Sequence, residues 1–193
     1  MRSLFIENWA VDGLGLHCPL ATLCEFRGTE GWSSLRLDAG RVEKVVVRSK
    51  GGLKAVTLDC PMLRCLDVGE GAVFEDDFWS ALPQKCPLTS HIVLRGFASA
   101  SAEMTRALAC FQGLTRLTTS SPETLRLLSC GALQIVEIRD YSTQQVADFD
   151  DVLTYHRNFP KLRRIKLSGI RVGKRCVSLC RAQCPGLRLV VTS

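Results

Sequence analysis

The sequence predicts an α/β fold: a right-handed, horseshoe-shaped solenoid of about eight repeats, with one parallel sheet on the concave face and a convex side that is first extended and then helical. Three observations carry this prediction. A nine-residue pattern recurs along the 193-residue chain, its copies lie 19 to 29 residues apart, and the inserts between copies change character near residue 74. Self-similarity at such a period marks architectures in which each repeat is one supersecondary unit stacked on the next.

The pattern is clearest at Cys60-Pro61-Met62-Leu63-Arg64-Cys65-Leu66-Asp67-Val68, with a small apolar residue at slot 1, a turn residue at slot 2 and apolar residues at slots 4, 7 and 9. Copies start at Cys18, Cys60, Cys86, Phe111, Cys130, Phe159 and Cys184, and an eighth from Ala39 keeps Val42, Val45 and Val47 without the Cys-Pro. Side chains alternate over slots 7 to 9, so Leu66 and Val68 face a core while Cys65 and Asp67 face away from it. Proline at slot 2 cannot continue a helix and turns the chain into the strand. One repeat alone cannot bury its apolar face. Stacked on neighbours it can, each buried Leu, Val or Ile contributing roughly 1.5 to 3 kcal/mol. Strands are expected near residues 25, 46, 67, 93, 118, 137, 166 and 191, with Leu66, Leu117 and Ile165 buried.

The Cys-Pro-x-Leu-x-x-Leu-x-Leu unit resembles the cysteine-containing leucine-rich repeats, known from the substrate-receptor ends of F-box proteins and, more distantly, from ribonuclease inhibitor. The resemblance covers residues 18 to 193. Ala21 and Thr89 stand where the unit has its first Leu, Gln112 and Gly131 where it has Pro, and no segment reads as an F-box. It implies a leucine-rich-repeat solenoid that binds a partner, in a family whose members share no single ligand; a substrate receptor of a ubiquitin ligase is one role it suggests.

Composition fits one domain with a continuous core, 46% hydrophobic and 23% charged. Residues 1 to 17 read as an N-terminal capping segment and 18 to 193 as the repeat domain. No apolar run approaches the roughly 18 residues of a membrane span, and Leu4-Phe5-Ile6 behind Arg2 is too short for a signal peptide, so an intracellular, cytoplasmic protein with no membrane partner is expected. Ten cysteines suggest disulfides or a metal until their slots are read. Five sit at slot 1, where Phe111 and Phe159 also serve, so the slot asks for apolar bulk and reduced core thiols are expected.

From Cys18 to Val68 a shorter beat runs inside the long one, with Trp32, Leu35, Leu37 and then Leu53, Val56, Leu58 echoing slots 4, 7 and 9. Repeats of 21 residues leave no room for two strand units and a helix, so the return limb there is extended. Later inserts carry helix signals: Glu75-Asp76-Asp77, Ser101-Ala102-Glu103, and Asp148, Asp150 and Asp151 at helix starts. The 19-residue step holding Pro122 has space for a single helical turn, and Gly173 to Cys184 reads as a basic helix.

No catalytic residue, metal site or cofactor emerges. The acidic clusters read as helix N-termini. Cys176, Cys180 and Cys184 span eight helical residues, about 12 Å, too far for one zinc with bonds near 2.3 Å to hold both ends. His91 alone of the three histidines falls in an outward slot, and its neighbours Cys65, Asp67, Arg116 and Thr118 complete no nucleophile triad. Gly13-Leu14-Gly15 and Gly69-Glu70-Gly71 lack the third glycine of a phosphate loop.

Charge is the informative signal. Residues 152 to 193 hold ten Lys or Arg and no Asp or Glu, leaving 15 basic against 19 acidic residues in the rest. The expected partner-binding residues are His91, Arg116, Arg139, Arg163, Arg164, Lys166, Arg171, Lys174 and Arg175. Their sign suits an acidic protein surface or RNA phosphate. Few aromatics are interleaved with them, Tyr155 and Phe159, which favours a protein partner in a scaffold or complex over RNA. The sequence ends inside a strand motif, so Leu187, Val190 and Val191 are expected to form a pairing edge covered by another chain.

Overall fold

The computed structural model describes residues 3–7, 13–28, 32–48, 55–69, 74, 76–96, 101–139, 146–147 and 149–192, excluding the side chains of 122–123, 127, 146–147 and 149–151. In chain order the strands are β1 (Ser3–Glu7), β2 (Leu14–His17), β3 (Leu23–Arg27), β4 (Ser34–Asp38), β5 (Lys44–Arg48), β6 (Ala55–Asp59) and β7 (Cys65–Gly69). Helices then alternate with strands: α1 (Asp76–Lys85), β8 (His91–Leu94), α2 (Ala102–Cys110), β9 (Arg116–Thr119), α3 (Pro122–Leu127) and β10 (Ile135–Arg139). The last elements are β11 (Val146–Ala147), α4 (Phe149–Asn158), β12 (Arg164–Ser168), β13 (Arg171–Val172), α5 (Lys174–Gln183) and β14 (Arg188–Thr192).

All eight expected strands join one nine-stranded parallel sheet in the order β1-β3-β5-β7-β8-β9-β10-β12-β14. The ninth is β1. Residues 3–7 pair with β3 from Ser3↔Leu23 to Glu7↔Arg27, so a segment that showed no repeat in the sequence carries a further strand of the sheet.

A hydrogen-bonded turn explains the motif. In each of the eight copies the slot-4 amide donates to the slot-1 carbonyl over 2.9–3.4 Å, from Ala21 to Cys18 through Leu187 to Cys184. Ala39-Gly40, Phe111-Gln112 and Cys130-Gly131 make the same turn, so proline favours it without being required. Neighbouring turns are stitched together by the slot-5 carbonyls: Glu43 O takes the Arg64 and Cys65 amides, Arg64 O takes those of Ser90 and His91, and Ser90 O those of Thr115 and Arg116. Buried backbone groups are thereby paired, as they must be. Thr89, in place of Leu, is fully buried because its hydroxyl donates to the Cys86 carbonyl at 2.9 Å. Slot-7 residues Leu66, Leu117 and Ile165 are 0 % exposed.

The return limb changes character at the junction near residue 74. β2, β4 and β6 form a three-stranded parallel sheet that seats Trp32, Leu35, Leu37, Val56 and Leu58 in the core; Leu53 lies outside the described residues. From α1 onward the limb is built mainly of helices, with β11 and β13 pairing as a two-stranded parallel sheet ahead of α4 and α5. Phe74, Phe78 and Trp79 fill the junction, with ring centroids 4.4–5.8 Å apart, and Lys85 bonds Asp59 across it. Acids open these helices as expected, Asp76 and Asp77 in α1 and Glu103 in α2, where Ser101 Oγ also accepts the Met104 amide at 3.0 Å. Glu75 and Asp148 lie outside the described residues. The tight step holds six helical residues rather than one turn, because Pro122 sits at the helix start where its missing N–H costs nothing.

The final copy departs from its motif. Slot counting from Cys184 puts Val190 and Thr192 toward the core, but the register pairs Arg164↔Arg188, Ile165↔Leu189 and Leu167↔Val191. One residue is missing between turn and strand, and a one-residue slip exchanges the faces. Leu189 consequently packs against the core and Arg188 takes the outward position of slot 6.

Candidate interaction surface

The face of the large sheet turned away from the core is ordered by register into rows. Slot 6 runs Lys44, Cys65, His91, Arg116, Ile135, Arg164 and Arg188; slot 8 runs Val46, Asp67, Val93, Thr118, Glu137, Lys166 and Val190. Neighbours in a row sit one strand spacing apart, about 4.8 Å, close enough for side chains to pair.

Two carboxylates anchor these rows. Arg48 grips Asp67 with both terminal nitrogens at 2.9 Å, and Arg95 grips the same group through Nε at 3.2 Å and Nη2 at 3.1 Å. Burial raises the Asp67 carboxyl, but the bonds from Arg95 and Arg48 outweigh it and hold the group below the ordinary carboxylate range. Gly69 makes this reach available, since a Cβ there would stand 2.5 Å from Arg48 Nη1. Glu137, with its side chain 1 % exposed, accepts from Lys166 Nζ at 2.8 Å, Arg139 Nε at 3.0 Å and Arg116 Nη2 at 3.2 Å. Burial opposes its ionisation, yet the bonds from Lys166, Arg139 and Arg116 bring it down to about 2. Among the described residues, Asp67 thus carries two cations and Glu137 three, and each carboxylate is held ionised by them.

Between the clusters, Cys65 Sγ lies 3.6 Å from His91 Nδ1, and His91 Nε2 lies 3.4 Å from Thr118 Oγ1. Burial, then the Arg116 charge, lowers His91 to about 4, while burial raises the Cys65 thiol. Both shifts favour the uncharged pair, a thiol beside a neutral imidazole.

The structure divides the expected binding residues. Arg116, Arg139 and Lys166, expected on the strand face, converge there on Glu137. Arg164 lies on the same face, exposed, and Arg163 is exposed immediately before it. Arg171 is in β13, and Lys174 and Arg175 begin α5, whose Cys176 and Cys180 pack into the core on the opposite side of the sheet. They form a separate basic surface. Asp67, Arg48, Arg95 and Glu137 were missed as a set. Two signals were present: both acids occupy slot 8, and each cation lies within one repeat of its acid.

At the last strand the expected edge is corrected in part. Leu187 lies in the turn before β14, outside the strand, with its amide donating to the Cys184 carbonyl and its side chain buried, 6 % exposed. Val190 and Val191 do lie in β14, which among the described residues pairs with β12 alone. Val191 is 44 % exposed, where its row-mates Val47, Val68, Ile138 and Leu167 are at most 2 %.

All ten cysteines are free thiols, seven of them buried. Burial raises Cys24 to about 12 and Cys86 to about 11, and raises Cys60 as well. Among the described residues no three metal-ligating side chains converge, and no helix is long and apolar enough to cross a membrane. No family model matches the chain, and no curated protein matches its sequence.

Proposed function

We propose that this chain is a leucine-rich-repeat solenoid, in the horseshoe form, serving as a non-catalytic protein-binding module or scaffold subunit inside the cell. It binds an acidic protein partner with the outward face of the large sheet, which is the concave face in this reading. The observation that carries the proposal is the gathering of cations on that face, at Asp67 and Glu137 and, exposed, at Arg164 and Arg188. Charge of one sign gathered on one surface raises encounter rates with a partner of the other sign and rejects like-charged ones.

Protein is favoured over RNA by the aromatics of the basic segment. Tyr155 and Phe159 are 2 % and 0 % exposed, so neither offers a ring to a base, and single-stranded RNA recognition depends on such stacking. The test is affinity capture from extract of the source organism, with and without nuclease, using wild-type protein and the Arg164→Glu/Lys166→Glu double variant. A discrete protein set that survives nuclease and is lost in the variant supports the reading. Capture abolished by nuclease transfers it to RNA, and capture indifferent to charge reversal overturns it.

A further inference from the structure

The register of the last two strands creates a pairing that the fold by itself disfavours. Arg164 and Arg188 are direct partners in a parallel pair, both in the outward row and both exposed, about one strand spacing apart. Like charges directly opposite destabilise a sheet. Arg27 and Arg48 are also direct partners, but there Arg27 pairs with Glu25 and Arg48 with Asp67. Neither Arg164 nor Arg188 has an ion pair among the described residues, and residues 152 to 193 contain no acid to supply one. The next acid along the rows, Glu137, already carries Arg116, Arg139 and Lys166.

We infer that Arg164 and Arg188 form a two-arginine clamp for a phosphate monoester carried by a protein partner; this rests on the reading of the face as a partner-binding surface and adds the group recognised. Each guanidinium presents a planar fork that bonds two oxygens of a carboxylate or phosphate. Charge decides between those ligands. A carboxylate brings one negative charge to two cations, while a phosphorylated side chain brings nearly two at neutral pH and three terminal oxygens for the forks to share. RNA phosphates are monoanionic diesters, and the surrounding segment exposes no aromatic ring for bases. Lys166, tied to Glu137, stays beside the clamp as a fixed positive charge.

The experiment titrates the isolated protein with phenyl phosphate, dimethyl phosphate and acetate at constant ionic strength, following arginine side-chain NMR signals. Phenyl phosphate is expected to bind at least ten-fold tighter than the two monoanions and to shift Arg164 and Arg188 first. Arg164→Gln and Arg188→Gln should each weaken it five-fold or more, Arg188→Lys less, and Arg181→Gln on α5 not at all. Equal binding of acetate, or variants that bind like wild type, would falsify the clamp. Capture from phosphatase-treated extract separates the two readings. A partner still lost on Arg164→Glu/Lys166→Glu after dephosphorylation removes the clamp and keeps the interaction module; phenyl phosphate binding without any charge-dependent partner keeps the clamp as a small-anion site and removes the module.

Discussion

The strand-walled half, up to β7, and the helix-walled half, from α1 onward, solve the same problem with different material. Both use the same turn and the same core-facing slots, so the large sheet runs through the junction without interruption. They differ in how much chain returns between strands. Steps of 21 residues hold a second strand, steps of 25 to 29 hold helices of nine or ten residues, and the 19-residue step, shorter than either, holds the six-residue α3. The difference teaches that the large sheet and the wall packed against it are specified separately, the first by the nine slots and the second by the insert's own residues, an apolar strand beat before β7 and helix-start signals after it, since length alone does not separate the 19-residue helical step from the 21-residue extended ones.

The largest effect should come from cutting slot 7 on either side of the junction. Leu66→Ala and Leu117→Ala remove fully buried side chains from the two halves and should each cost about 2 to 5 kcal/mol by urea denaturation. Similar losses are expected. A cost below about 1 kcal/mol on one side would show that the two halves do not share a continuous core.

Next in size are the two carboxylates. Glu137 has its pKa depressed from 4.5 to about 2, so its stabilisation is complete above about pH 4.5 and disappears as pH falls toward 2. That shift bounds it at roughly 3 kcal/mol, which screening at its partly exposed partners reduces to about 1 to 2. Glu137→Gln, leaving three cations without their acid, should therefore destabilise more at pH 7 than at pH 3. Asp67→Asn, leaving two, should show the same sign with a smaller amplitude. A Glu137→Gln penalty that is the same at pH 3 and pH 7 would show that the carboxylate acts by shape and not by charge.

Thiol chemistry sharpens the contrast without altering stability. Under denaturing conditions and without reductant all ten cysteines should react, and a count well below ten would reveal disulfides. In the native protein Cys110, exposed at the end of α2, should react first, followed by the half-buried Cys18 and Cys65; the seven buried thiols should wait for unfolding. Early reaction of Cys24 or Cys60 would mean that the strand-walled half opens locally.

The smallest effect belongs to the ion pair across the junction itself. Lys85 and Asp59 are each about half exposed, so Lys85→Ala should cost under 1 kcal/mol. A larger loss would show that the wall elements lock the two halves together.

What could be read from the chain alone is what is local. Slots 4, 7 and 9, the turn at slots 1 to 4 and the change of wall near residue 74 all follow from alternation, turn chemistry and the insert's own residues, each decided within one repeat. The pairing of charges was not legible in the same way. Arg48 meets Asp67 across 19 residues and Glu137 meets Lys166 across 29, because neighbours on a parallel sheet are a whole repeat apart. Nor did slot counting place Arg188 beside Arg164. The observed register pairs Ile165 with Leu189, which packs partly buried against the core, and with side chains alternating at every residue, the slip of one position turned an unremarkable slot-5 arginine to the outward face.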